Sequence, residues 1–200
     1  MLCYLYVSSK LKKKRETKNI MSIITKSELT NYRNSTRTFS KSLNESLSEF
    51  KSESTFRKVT IFLSHKHNEL EELDGAISFL KNFGVEIYVD WLDEEMPKRT
   101  SGKTADRIKL KIKENQKFIF LATEGAIASK WCNWELGHGD AAKYIKHIAV
   151  LPVKSNYSDY TGSEYLQIYP YIYESESTPN TFYVHYPDGT VKNVSSWLIS

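Results

Sequence analysis

One segment, Ser129–Gly137, carries the residue types that could do chemistry on a nucleotide. If this segment is helical, Trp131 and Glu135 are four residues apart and lie on the same face. A flat indole can stack on a base, and a carboxylate can hold ribose hydroxyls and stabilise the oxocarbenium-like transition state of N-glycoside cleavage. A lone glutamate on a helix is more often solvated surface, and a lone tryptophan is more often core. The pair by itself therefore leaves both interpretations open.

Other chemical motifs fail on residue type or spacing. Ser101–Thr104 (SGKT) resembles the end of a phosphate-binding loop, but Pro97 occupies the position of the required first glycine. His65 and His67 have no clustered acidic or cysteine partner in the sequence, so we expect no metal site. Cys132 has no nearby catalytic partners in any motif and is expected to be a buried core thiol. The glutamate of the first segment remains the catalytic candidate.

Strand and helix patterns alternate through the middle of the chain. Short apolar runs, typical of buried strands, are followed by apolar residues at helical spacing. The predicted strands are Val59–Ser64, Val85–Asp90, Phe118–Ala122 and Ile148–Val153, and the predicted helices include Leu70–Leu80, Ala105–Ile112 and Trp131–Ile145. This alternation predicts an α/β fold, a flavodoxin-like parallel sheet with helices on both faces. Ligands bind at the carboxyl ends of such strands, where we expect Glu135 to face a pocket.

The chain before the first predicted strand is interpreted in two parts. Residues 1–20 are expected to be a disordered tail or an upstream start, with Met21 as a plausible initiator. Residues 21–56 are predicted to form a helical extension, because the apolar residues between Ser27 and Phe50 fall on one face of a helix. The remainder of that stretch is rich in serine, threonine and asparagine, so such a helix would need a partner surface.

Residues 156–200 are predicted to form a C-terminal extension to the domain at 57–155. Tyrosines crowd the stretch Tyr157–Tyr173, which we interpret as rich in loops. Two strand patterns, Thr181–Tyr186 and Thr190–Val194, then flank the turn residues Pro-Asp-Gly. We therefore expect a C-terminal hairpin packed on the edge of the sheet.

The charge is unevenly placed along the chain. Residues 1–58 hold 13 basic and 5 acidic residues, whereas the rest holds 15 basic and 19 acidic ones. A nucleic-acid-binding domain carries its basic patch on the folded part, so no nucleic-acid partner is expected. No apolar stretch reaches the ~20 residues of a membrane helix. The two cysteines, Cys3 and Cys132, have no CxxC spacing. These features favour a cytoplasmic protein without a membrane partner.

Three segments together resemble the signature regions of TIR domains. They are VTIFLSH, VEIYVDW with the following loop LDEEMPKRTSGKT, and FIFLATEGAIASKWCNWELG. The resemblance implies a TIR fold and an NAD⁺ glycohydrolase or cyclase that cleaves the nicotinamide–ribose bond, with Glu135 as the catalytic residue. NAD⁺ is then the substrate, and no cofactor is expected. The residues that the resemblance implies for substrate binding are Ser64, His65, Lys66, Asp90, Trp91 and Trp131. His65 stands where many relatives have tyrosine.

The flanks are similar to those of TIR proteins from bacterial Thoeris antiphage systems. That resemblance implies an ADP-ribose-derived signal, whether cyclic, linear or conjugated, that activates a separate effector protein. It also implies a homo-oligomer formed through the BB loop, here Leu92–Thr104. The alternative is a non-catalytic TIR scaffold for signalling assembly, which would need neither Trp131 nor Glu135. A receiver or flavin-binding domain is disfavoured, because the residues after the first strand lack the required acids and glycines.

Overall fold

The secondary structure was obtained from a computed structural model, which describes residues 21–36, 58–97, 101–155, 160 and 162–200. The strands are β1 Met21–Ser22, β2 Ile24–Thr25, β3 Thr60–Ser64, β4 Glu86–Tyr88, β5 Lys117–Ala122, β6 Ile148–Lys154, β7 Tyr171–Ser175, β8 Phe182–His185 and β9 Val191–Asn193. The helices are α1 Lys26–Thr36, α2 Leu70–Lys81, α3 Gly102–Glu114, α4 Glu124–Ile127, α5 Lys130–Ala142 and α6 Val194–Leu198. Among the described helices, none is long and apolar enough to cross a membrane.

The sheet has a central parallel part and an antiparallel edge. Its strand order is β4-β3-β5-β6-β7-β8-β9, and every pair from β4 to β7 is parallel. Counted along the chain, these five strands follow the order 2-1-3-4-5 of flavodoxin-like folds. The prediction of an α/β, flavodoxin-like fold is confirmed, and the predicted first strand is β3, which pairs in parallel on both sides. The order reverses between β3 and β5, and ligands bind at such a switch point.

Helices cover both faces of the sheet, as the sequence predicted. Successive residues of a strand point to opposite faces, so Ile61 and Leu63 of β3 face one helical layer while Phe62 faces the other. The first layer holds α1, α2 and α6, and the second holds α3 and α5. The rings of Phe62 and Phe118 stack with centroids 5.6 Å apart. The two faces therefore have separate apolar cores.

The C-terminal stretch continues the sheet. The predicted hairpin is confirmed as β8 and β9, with a turn at Gly189, whose φ of 85° suits glycine. The expectation that Tyr157–Tyr173 consists of loops is wrong at its end, because Tyr171 and Tyr173 lie in β7, parallel to β6. Tyr157 lies outside the described residues. The sequence pattern did not indicate this strand, because β7 has only five residues and only some of them are apolar.

The N-terminal segment joins the same sheet. Two short strands that the sequence did not predict, β1 and β2, pair with β7 and β6. The predicted N-terminal helix is present as α1, and the rest of its expected range, residues 37–50, lies outside the described residues. Leu29 of α1 is completely buried against the core. The partner surface that this helix needs is therefore the core of the same domain.

A glycine lets α1 approach α2 closely. A β-carbon added at Gly75 would lie 2.5 Å from the carbonyl oxygen of Leu29 and 2.9 Å from its Cγ atom. The first of these contacts is with backbone, which cannot turn aside as a side chain can. Gly75 therefore sets the distance between the two helices.

We predict that Gly75→Ala lowers the free energy of unfolding by about 1–3 kcal/mol, because the methyl group forces α1 away from α2. Gly137→Ala in α5 is the matched control, since an added β-carbon there meets no atom within 4 Å. The control should be neutral or stabilising by up to about 1 kcal/mol through helix propensity. Urea denaturation of both variants measures the difference. Equal stability of the two variants would contradict the close packing.

Candidate active site at the switch point of the sheet

The carboxylate of Glu135 lies inside the protein, where α5 passes the carboxyl end of β3. The helix begins at Lys130, and the side chain of its N-cap residue Ser129 accepts a hydrogen bond from the Cys132 backbone N–H. Glu135 is on the second turn and is only 2% exposed. The Ser64 hydroxyl donates a hydrogen bond of 2.6 Å to its Oε2 atom. The last residue of β3 therefore positions the carboxylate on α5.

Burial changes the acidity of Glu135. Removal from water, together with the negative charge of Asp90, raises the pKa of Glu135 from 4.5 to about 8. Hydrogen bonds from Ser64 and Trp131 act in the opposite direction without cancelling the effect. The expectation that Glu135 opens onto a pocket needs correction, because the side chain is enclosed and is not one of the residues that line the adjacent cavity.

A cavity of about 590 Å³ lies beside this carboxylate. Four of the residues expected to bind substrate line it: His65, Lys66, Asp90 and Trp131. The other lining residues, which sequence reasoning did not assign to a substrate site, are His67, Asn68, Asp93, Met96, Pro97, Thr104, Ser129 and Cys132. Most of them follow β3 or β4 or precede α5, so their position after parallel strands is the signal that could have found them.

Two expected site residues have a different place. Ser64 is 1% exposed and contacts Glu135, so it supports the carboxylate from within the core. Trp91 lies in a short 3-10 helix after β4, and its side chain lies outside the described part of the structure.

Cys132 is a buried free thiol, as expected, and its Sγ lies 3.2 Å from the His65 carbonyl oxygen. Burial raises the pKa of that thiol to about 11.

Trp131 connects the cavity to the carboxylate. Its side chain lines the cavity and hydrogen-bonds to Glu135. Its ring centroid is 5.0 Å from that of Trp134, which in turn stacks on His138 and is not part of the cavity lining. The two indoles of α5 are thus neighbours with different surroundings.

Asp90 is surrounded by two histidines from the loop after β3. Its Oδ2 atom is 2.9 Å from His67 Nε2, and its Oδ1 atom is 3.9 Å from His65 Nε2. The Asp90 carboxylate raises the pKa of His67, whereas burial lowers that of His65. The expectation that the two histidines lack a clustered acidic partner is wrong, because β3 and β4 are adjacent and bring together residues far apart in sequence.

The segment after Asp90 is held by ion pairs within the chain. Arg107 of α3 donates to Asp93 at 2.9 Å and also contacts Glu95. The Tyr88 hydroxyl donates to Asp93 at 2.7 Å. The SGKT residues form the start of α3, where the Ser101 and Thr104 side chains make a capping box. The acidic residues of this segment are therefore already partnered from within the same molecule.

Comparisons with known proteins identify the family of this chain. Residues 61–178 match the family model described as TIR domain. Over 145 residues the chain is 32% identical to a Bacillus cereus (strain MSX-D12) protein named probable 3' cyclic ADP-D-ribose synthase ThsB'. The aligned part covers 69% of this chain and 74% of that relative. The chain belongs to the TIR domain family.

We predict that the stability of Glu135→Gln relative to the wild type depends on pH. Because the folded-state pKa of about 8 exceeds the ordinary 4.5, the folded protein holds an extra proton between these values. That stabilisation is complete below about pH 4.5 and is lost as the pH rises through about 8. Glutamine does not ionise, so its free energy of unfolding lacks this loss. As the pH rises over this range, the variant should become more stable relative to the wild type, by at most about 1.4 kcal/mol per pH unit.

Chemical denaturation at several pH values tests this expectation. Glu124→Gln on α4 is the matched control, because Glu124 is exposed. Its difference from the wild type should not follow the same pH curve. A Glu135→Gln difference that stays constant from acidic to alkaline pH would show that the pKa of Glu135 is the same in the folded and unfolded protein.

Proposed function

We propose that this protein cleaves NAD⁺ at the nicotinamide–ribose bond and converts the remainder into a cyclic ADP-ribose-type signal. The observation that carries the proposal is the enclosed Glu135 carboxylate, which accepts hydrogen bonds from Ser64 and Trp131. It lies beside a cavity at the switch point of the sheet. A volume of about 590 Å³ falls within the range of small-molecule sites. The name of the Bacillus relative, a cyclic ADP-ribose synthase, supports the same class of reaction.

The proposed chemistry uses the negative charge of Glu135. The bond between the ribose carbon and the ring nitrogen breaks, and both bonding electrons leave with neutral nicotinamide. The positive charge of the pyridinium ring passes to the ribose as an oxocarbenium-like centre. An ionised carboxylate in a water-poor environment stabilises that charge strongly. A bound cationic ring also favours the ionised form of Glu135, since an opposite charge nearby lowers a carboxyl pKa.

The fate of the ribose carbon decides the product. Attack by water gives linear ADP-ribose, whereas attack by a hydroxyl of the same molecule gives a cyclic product, with loss of one proton in either case. An enclosed site favours the internal nucleophile, because it excludes water and holds the reacting groups together. We propose that the cyclic product acts as an antiphage signal for a separate effector protein.

The competing function is a TIR scaffold without catalysis. Burying a carboxylate whose pKa rises to about 8 opposes folding, and assembly does not require it. Both functions are compatible with a homo-oligomer formed through Leu92–Thr104, which we also propose. Met96 and Pro97 of this segment line the cavity, so a neighbouring copy that moved the segment would change access to it.

We predict that Glu135→Gln reduces nicotinamide release by at least roughly 10²–10³-fold, the usual effect of removing one charge-stabilising group from an active site. Purified protein is incubated with NAD⁺, and nicotinamide and nucleotide products are followed by chromatography and mass spectrometry. Glutamine keeps the size of the side chain, so the loss reports the missing charge. Glu124→Gln on α4 serves as the control and should retain wild-type activity.

The same experiment separates the alternatives. A cyclic product with the mass of ADP-ribose less one water supports the proposed signal, and linear ADP-ribose alone would replace cyclisation by hydrolysis. Activity of Glu135→Gln within a few-fold of the wild type would rule out the proposed role of the carboxylate. Absence of NAD⁺ cleavage by the wild type at any protein concentration would favour the scaffold.

We predict that Trp131→Ala impairs NAD⁺ cleavage more than stability, and that Trp134→Ala does the reverse. Loss of a stacked indole costs about 1–3 kcal/mol of binding per base, and Trp131 also bonds to Glu135. Trp134 stacks on His138 away from the cavity, so its loss removes packing. Steady-state kinetics and thermal melts are measured for both variants. Equal thermal penalties with equal kinetic effects would remove the stacking role of Trp131.

A further inference from the structure

Three side chains on the wall of the cavity have the types and spacing of metal ligands. His65 and His67 follow β3, and Asp90 follows β4. One nitrogen from each histidine and one carboxylate oxygen all lie within 4.8 Å of one another. We propose that His65, His67 and Asp90 bind a divalent transition-metal ion of the zinc class. This site goes beyond the proposed cleavage of NAD⁺ and does not depend on it.

The hydrogen bond of His65 presents its other nitrogen as a ligand. Its Nδ1 atom lies 3.2 Å from the Leu63 carbonyl oxygen, and a carbonyl can only accept, so Nδ1 carries the proton. In the neutral ring, Nε2 then has a free lone pair. A backbone carbonyl bonded to one ring nitrogen is the usual way to orient a metal-binding histidine.

The surroundings of that second nitrogen favour a cation. His65 Nε2 is buried and has no hydrogen-bond partner in the described structure. Its neighbour at 3.9 Å is Asp90 Oδ1, which is also an acceptor. Two lone pairs that face each other in a buried place are unfavourable. A metal ion between them gives the His65 nitrogen a partner and removes this repulsion.

The distances can accommodate such an ion after a small adjustment. Ligands about 2.0–2.2 Å from a tetrahedral ion are separated by roughly 3.3 Å. His67 Nε2 is 2.9 Å from Asp90 Oδ2 and His65 Nε2 is 3.9 Å from Asp90 Oδ1, and one ligand atom from each of the three residues lies within 4.8 Å of the others. The side chain of His67 is 54% exposed and is therefore free to move. Two imidazoles favour zinc, cobalt, nickel or copper over magnesium or calcium.

Three protein ligands leave one coordination position open. All three residues line the cavity, so the open position faces the space where a small molecule binds. An oxygen atom of that molecule, such as one from a phosphate or a ribose hydroxyl, is the expected fourth ligand. The metal would thus hold the molecule at a point distinct from the Glu135 carboxylate.

Binding is tested on metal-stripped protein without a polyhistidine tag. Titration with Co²⁺ should give one equivalent bound, with the visible absorption of a four-coordinate ion, and calorimetry with Zn²⁺ should give the same stoichiometry. His67→Gln is the decisive variant, because this half-exposed side chain is replaceable without loss of fold, which circular dichroism verifies. We expect its affinity to fall by more than the roughly 10–100-fold caused by changes around a metal site. Asp90→Asn and His65→Gln should lower the Co²⁺ affinity to a similar extent.

Two controls define the site. His147→Asn removes a histidine at the amino end of β6, at the end of the parallel strands opposite to the cavity, and should leave Co²⁺ binding unchanged. Glu135→Gln should also bind Co²⁺ normally, which separates this proposal from the proposed reaction. Unchanged affinity in His67→Gln, or no saturable binding by the wild type, would overturn the site. A thiolate-to-cobalt absorption band would also overturn it, since it would assign a cysteine, Cys3 or Cys132, as a ligand.

Discussion

The hydrogen bond from Ser64 to Glu135 is the interaction on which the arrangement of the site depends. A carboxylate in the interior is unfavourable unless donors reach it, and Ser64 is one such donor, at 2.6 Å. The two residues are 71 positions apart in the chain. They meet because β3 lies beside β5 in parallel register, with Ser64 opposite Phe120, and because α5 begins soon after β5 ends.

The same strand order explains why acidic groups converge on the cavity. β4 is the other neighbour of β3, so its end brings Asp90 close enough to Glu135 to raise the pKa of that residue. Neither acid is open to water, since both are at most 5% exposed. The fold thus keeps two acidic groups near each other at a cost in stability. Such strain is expected where a site is preorganised for a charge that it does not itself supply.

The sequence predicted those parts of the fold whose signal is local. β3, β5 and β6 are continuous apolar runs, and the C-terminal hairpin has a Pro-Asp-Gly turn, so all four were recognisable. The two-residue strands β1 and β2 exist only through pairing with β7 and β6, which no local pattern encodes. In the site, the positions of Trp131 and Glu135 on one face of a helix could be predicted, because the two residues are four apart in the sequence. The contact of His67 with Asp90 joins different loops and required the strand order.

The positive charge of the proposed substrate fits the electrostatics of this site at each stage. Before the bond breaks, a pyridinium ring near Glu135 counteracts the burial and the Asp90 charge that raise the glutamate pKa. When nicotinamide leaves, the charge moves to the ribose carbon but stays within the same enclosure. A ligand of the same shape with an uncharged ring would not offset the negative charge of Glu135 in this way. We therefore propose that the buried Glu135 favours a nucleotide whose nicotinamide ring is cationic over one whose ring is reduced and uncharged.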